Sequence, residues 1–155
     1  MAKYTVVEEE SVETKSEKRV RVFLAVMFFI QVVLAASFPL MQGDVDGKGM
    51  AALSAVKLMI QPNGYNSFQE VLVAIYGAVL VVLPIVAFFF CLLDKKSKKK
   101  YVVSALTSVL CPIIICFGVG GTIAIGGVFT LFINIITLFM TSQGFQATRM
   151  REKAS

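Results

Sequence analysis

The sequence predicts an all-α integral membrane protein. We expect a four-transmembrane-helix bundle, N-in/C-in, with a short amphipathic interfacial helix in the first outer loop. Three observations predict it. The apolar residues come in four blocks, each long enough to cross the ~30 Å hydrocarbon core of a bilayer. The chain is 57% hydrophobic and 16% charged, against about 45–50% and ~25% in a soluble domain. The basic residues then sort by side: Lys3, Lys15, Lys18, Arg19, Arg21, the lysines of residues 94–100, Arg149, Arg151 and Lys153 fall on one side of a four-span model, and only Lys48 and Lys57 on the other. That is the distribution of loops held on the cytoplasmic face.

Residues 94–100, Asp-Lys-Lys-Ser-Lys-Lys-Lys, fix the direction of every span. A lysine at mid-membrane costs about 2.5–3.5 kcal/mol on insertion scales, so Lys95, Lys96, Lys98, Lys99 and Lys100 stay on the cytoplasmic side. Basic clusters of this kind attract anionic lipid headgroups, and these five lysines are the expected lipid contacts.

Residues 1–21 are polar and read as a cytoplasmic tail whose basic end abuts the membrane. Residues 22–41 form the first span, about 30 Å long at 1.5 Å per residue. Ala35-Ala36-Ser37 resembles a signal-peptidase site, but the preceding segment is long and acidic and the apolar run continues to Met41, so the span is expected to be a retained anchor. Residues 42–67 form the outer loop. It opens with the turn residues Gly43, Asp44, Asp46, Gly47 and Gly49, then carries a helical pattern over 50–60, with Ser54, Lys57 and Gln61 on one face, ended by Pro62-Asn63-Gly64. That helix is too short to cross a bilayer and is expected either in the outer interface or across the mouth of the bundle.

Residues 68–93 form the second span, with Pro84 deep inside it and the small residues Ala74, Gly77 and Ala78 offering a face for close helix approach. Residues 94–100 form the basic cytoplasmic loop and 101–118 the third span, with Pro112 near its middle. Residues 119–122 make an outer turn, 123–141 the fourth span, and 142–155 a cytoplasmic tail, with Gly144 expected to end the helix.

The candidate functional residues form a seam. Gly127, Thr130, Asn134, Thr137 and Thr141 recur at spacings of three and four, which places them on one helical stripe. The third span carries a matching stripe of Ser104, Thr107, Ser108 and Cys111, and the first span contributes Gln31. Such stripes either pack helices together through small and hydroxyl residues or line a solute path.

The remaining motifs fail on inspection. Residues 44–49 brush against a calcium loop but place Lys48 and Ala55 where oxygen ligands are required. Residues 118–127 are glycine-rich, yet no lysine follows to hold a phosphate. The three cysteines offer no disulfide framework, and no His is present to act as a metal ligand or general base. The net charge of +5 belongs to membrane-flanking loops, so no nucleic-acid partner is expected. No Asp, Glu, Lys or Arg lies at the centre of a span, which argues against proton-coupled transport.

Two functions remain. The first is a non-enzymatic accessory, scaffold or regulatory subunit, of which immunity to a toxin or bacteriocin is one version. The alternative is an oligomeric small-solute transporter or pore lined by the stripe. No cofactor or metal is expected. The expected partners are the bilayer and either further copies of the chain or a larger membrane protein, with a bacterial cytoplasmic membrane as the expected location.

Overall fold

The computed structural model describes residues 13–44, 50–60, 67–95, 97–118 and 122–154. The tail up to residue 12, residues 45–49 with Lys48, residues 61–66, Lys96 and residues 119–121 of the outer turn lie outside these.

Helix α1 (Lys15–Ser37) starts inside the expected tail, not at residue 22. The reason is a capping box. The Thr14 hydroxyl accepts the Glu17 N–H at 3.2 Å, and the Glu17 carboxylate accepts the Thr14 N–H at 2.9 Å. Pro39 disfavours helical backbone at the residue before it, and α1 ends with Phe38 extended, at φ −113° and ψ 148°.

Two short strands follow, β1 (Met41–Asp44) and β2 (Met50–Leu53), paired antiparallel with Met41 opposite Leu53 and Asp44 opposite Met50. The helix expected over 50–60 is therefore confined to α2 (Ala55–Ile60). The backbone of the earlier residues is taken by the strand pairing, and the helix begins only after Ser54, whose hydroxyl accepts the Lys57 N–H at 3.2 Å.

Helix α3 (Ser67–Leu93) runs unbroken through Pro84. Helix α4 (Lys99–Ile113) passes into a π-helical turn, Ile114–Gly118, just beyond Pro112, where the missing proline N–H disturbs the hydrogen-bond ladder. Strand β3 (Thr122–Ile123) adds to the free edge of β1, giving the order β2-β1-β3.

Helix α5 (Ile125–Ala154) continues through Gly144, where the sequence had suggested a stop. The glycine serves packing instead. A Cβ there would run into the ring of Tyr101.

Four of the helices are long and apolar enough to cross a membrane, as an integral membrane protein requires. Helix α1 packs against α3 and α5, and α4 against α3 and α5, in an up-down-up-down arrangement. One end of the bundle, here the sheet end, carries the strands and α2. The other, the basic end, carries the α3–α4 loop and the start of α1.

The burial pattern is inverted relative to a water-soluble bundle. Phe29, Phe132, Ile135 and Phe139 are more than half exposed, while Gln31, Asn134 and Thr137 are 0–1% exposed. Apolar side chains facing outward and polar ones inward suit a lipid surround, where exposed polar groups lack partners. Two hydrophobic clusters fill the interior, one at the sheet end around Leu40, Leu58 and Leu80 and one at the basic end around Leu24, Phe28 and Tyr101.

Candidate functional site

A polar seam runs along the interior beside both clusters. Its α5 component is a stripe of Gly127, Thr130, Asn134, Thr137, Thr141, Gly144 and Thr148, all buried and none of them a large apolar residue. The expected stripe thus extends two helical turns further than the fourth span was drawn. Ser104, Thr107 and Ser108 of α4 and Gln31 of α1 are buried to 4% exposure or less and face the same interior.

Most of the hydroxyls are satisfied within their own helix, by donating to the carbonyl four residues back. Thr130 donates to Gly126 at 2.8 Å, Thr107 to Val103 at 2.9 Å, Ser104 to Lys100 at 2.7 Å and Thr148 to Gly144 at 3.0 Å. Such bonds let small polar residues sit at a close helix contact without a partner across it. The Ser108 hydroxyl of α4 also meets that of Thr137 of α5 at 2.6 Å, a bond that crosses between the two helices. Thr107 also reaches the Leu83 carbonyl of α3 at 3.5 Å.

Gln31 and Asn134 share a level in the bundle. The Gly126 N–H donates to the Pro39 carbonyl at 3.1 Å, which pins α5 against the end of α1. Each amide lies eight residues, about 12 Å along the helix axis, towards the basic end from that pin. The Asn134 amide donates to the Thr130 carbonyl at 2.7 Å, while Gln31 Oε1 and Asn134 Oδ1 have no partner among the described residues.

The basic end holds a second cluster, which sequence reasoning missed. Arg21 of α1 is 6% exposed. It forks onto Glu13 at 2.7 and 3.1 Å, and its remaining nitrogen donates to the Cys91 and Leu92 carbonyls, 3.0 and 3.3 Å away, at the end of α3. Those carbonyls are among the last of a helix and have no partner within it, so one guanidinium closes α1 onto the end of α3 and neutralises its dipole. Arg151 of α5 reaches Glu17 at 3.1 Å.

Lys100 departs from the expected lipid-facing set. It is 3% exposed. Its ammonium donates to the Lys95 carbonyl at 3.1 Å, lies 4.0 Å from Glu13 and sits 5.2 Å from the centre of the Tyr101 ring. The cause is helical phase: Lys100 precedes Ser104, Thr107 and Cys111 on the inward stripe of α4. Lys95 and Lys99 are exposed and Lys98 is half-buried. Asp94 accepts the Ser97 N–H at 2.8 Å and shapes the loop.

At the sheet end, Ala55 and Leu58 of α2 are buried against α3. A Cβ on Gly77 would meet the Met59 nitrogen at 2.7 Å and the Ala55 oxygen at 2.8 Å. The small-residue face of α3 thus receives α2, with Lys57 turned outward. Among the described residues, no group of three or more His, Cys, Asp and Glu is placed to hold a metal ion.

Comparison with known protein families, curated proteins and solved structures finds no match to this chain.

Proposed function

We propose that the protein is a non-enzymatic accessory or scaffold subunit of a membrane assembly, with immunity to a toxin or bacteriocin as one version of that role. The observation that carries this reading is the direction of the polar seam. Its residues face the interior of a single chain, and most of its hydroxyls bond to their own helices or across the α4–α5 contact. A pore built from several copies would need its polar stripe on the outside of each copy, towards the shared axis. Here the outside is Ile, Val, Leu and Phe, available to lipid or to apolar helices of a partner.

In this reading the basic end faces the cytoplasm, as the positive-inside rule directs, and α2 caps the bundle at the outer surface. Lys95, Lys98 and Lys99 contact anionic headgroups of the cytoplasmic leaflet. The membrane is a bacterial cytoplasmic membrane, and the partner is a larger membrane protein or further copies of the chain.

Asn134→Leu tests the seam. Interhelical polar groups in membranes contribute about 0.6 kcal/mol on average and at most ~2 kcal/mol. The variant is therefore expected to lose a small amount of thermal stability, or its co-purifying partner, and to show no transport phenotype. Wild-type protein in liposomes that passes a small solute above the protein-free rate, with N134L folded but inactive, would transfer the assignment to a pore. The mass of the complex extracted in mild detergent gives the complementary result: the accessory reading expects a larger protein at fixed stoichiometry.

A further inference from the structure

We propose that α1 carries a binding site for one anionic phospholipid on its outward face at the basic end. A groove of about 610 Å³ there is lined by Lys15, Lys18, Arg19, Val22, Phe23, Val26 and Met27, a volume within the ~300–1,000 Å³ range of ligand clefts. The residues recur at alternating steps of three and one, which is a single helical stripe. Three cations occupy its first turns and four apolar side chains continue it, the order of a lipid's headgroup and acyl chain.

Charge segregation on α1 makes the site electropositive. Glu17 and Arg21 face the bundle, where with Glu13 they are paired among themselves and with Arg151 and Lys100. The side chains of Lys15, Lys18 and Arg19 face outward, and none makes a hydrogen bond or ion pair among the described residues. Among the described residues the nearby acids, Glu13 and Glu17, are paired on the bundle side, so these three charges are left for an external anion. Two of the helix-start amides, those of Thr14 and Glu17, are already taken by the capping box.

Depth supports a lipid as the occupant. Arg21 lies level with the last carbonyls of α3. Lys15, Lys18 and Arg19 stand about 3–9 Å beyond it along the helix axis, the depth of a headgroup layer. Val22, Phe23, Val26 and Met27 begin where the acyl chains do. The groove at the end of α3, about 360 Å³ and lined by Phe89, Phe90, Leu93 and Asp94, supplies the contrast. It has similar apolar walls but an acid in place of cations, and would not select an anion.

The test is native mass spectrometry of the full chain in detergent, with phosphatidylglycerol or phosphatidylcholine of matched acyl chains added. Wild type should retain one phosphatidylglycerol in preference to phosphatidylcholine. At about 1 kcal/mol, or fivefold, per surface cation, Lys15→Gln/Lys18→Gln/Arg19→Gln should lower that preference at least tenfold. All three residues are exposed, so the variant should elute and melt as wild type does. Lys95→Gln/Lys98→Gln/Lys99→Gln should leave the retained lipid in place, because the apolar groove beside the loop is lined by Asp94 and by none of these lysines. Undiminished preference in the α1 variant, or an equal loss in the loop variant, would overturn the site.

Discussion

Arg21→Met is expected to destabilise the folded chain by about 3–5 kcal/mol, the cost of removing one partner from a buried ion pair. The guanidinium has two tasks that no neighbour can take over. It neutralises Glu13, whose side chain is 11% exposed, and it donates to the Cys91 and Leu92 carbonyls at the end of α3. Without it, Glu13 keeps, among the described residues, Lys100 at 4.0 Å, and the α3 carbonyls lose their donor. Arg21→Lys should recover a minor part, because an ammonium cannot make the fork and reach the carbonyls together. Adding Glu13→Gln to Arg21→Met should recover more, because it removes the stranded charge. The cysteines provide the readout. Cys91 and Cys111 are buried and Cys116 is exposed, so a thiol-reactive dye reports unfolding over a constant background from Cys116. The midpoint should fall by on the order of 10 °C. Cys91, next to the lost contact, should label faster than Cys111. Wild-type melting with Cys91 still protected would show that the cluster contributes nothing.

The spans were legible because each is a long apolar block, and a lipid solvent leaves a backbone in that setting few alternatives to helix. The seam was legible because the 3-4 spacing of Thr130, Asn134 and Thr137 is visible against an apolar background. The basic-end cluster was not, although its parts were present. Thr14 and Glu17 have capping-box spacing, and Lys100 is in phase with Ser104. The strong positive-inside signal assigned every nearby charge to water and obscured both. A charge count places residues on a side of the membrane, but it does not say which of them turn inward to meet Glu13. The strand pairing of Met41–Asp44 with Met50–Leu53 was unreadable for another reason. Met50, Leu53, Val56 and Ile60 satisfy a helical period, and only a partner strand decides otherwise. Gly144 misled by type, since a glycine near a helix end reads as a stop unless the ring packed against it is known.

Two glycines should separate packing against backbone from packing against a side chain. Gly127→Ala places a Cβ against the Leu40 carbonyl oxygen and 2.7 Å from the Ile123 methyl. That carbonyl already accepts the Ala124 N–H at 3.1 Å, and the Gly126 N–H is held by Pro39 at 3.1 Å. These tertiary bonds occupy N–H groups at the start of α5 that no helical turn can satisfy, so any retreat of α5 to relieve the clash gives them up as well. The loss should reach or exceed the ~1–3 kcal/mol of ordinary overpacking. Trimming Ile123 to Ala should not restore it, because the obstacle is main chain. Gly144→Ala meets the Tyr101 ring instead. Tyr101 is fully buried, 5.5 Å from the Phe145 ring, and has no room to swing away, so a loss of about 1–3 kcal/mol is expected here too. Tyr101→Leu should relieve it, giving a favourable coupling in the double-mutant cycle where Gly127→Ala with Ile123→Ala gives little. Thiol-dye melting of both cycles measures this. Equal rescue at the two sites would mean that the α5 N-terminus yields more readily than its hydrogen bonds to Pro39 and Leu40 imply.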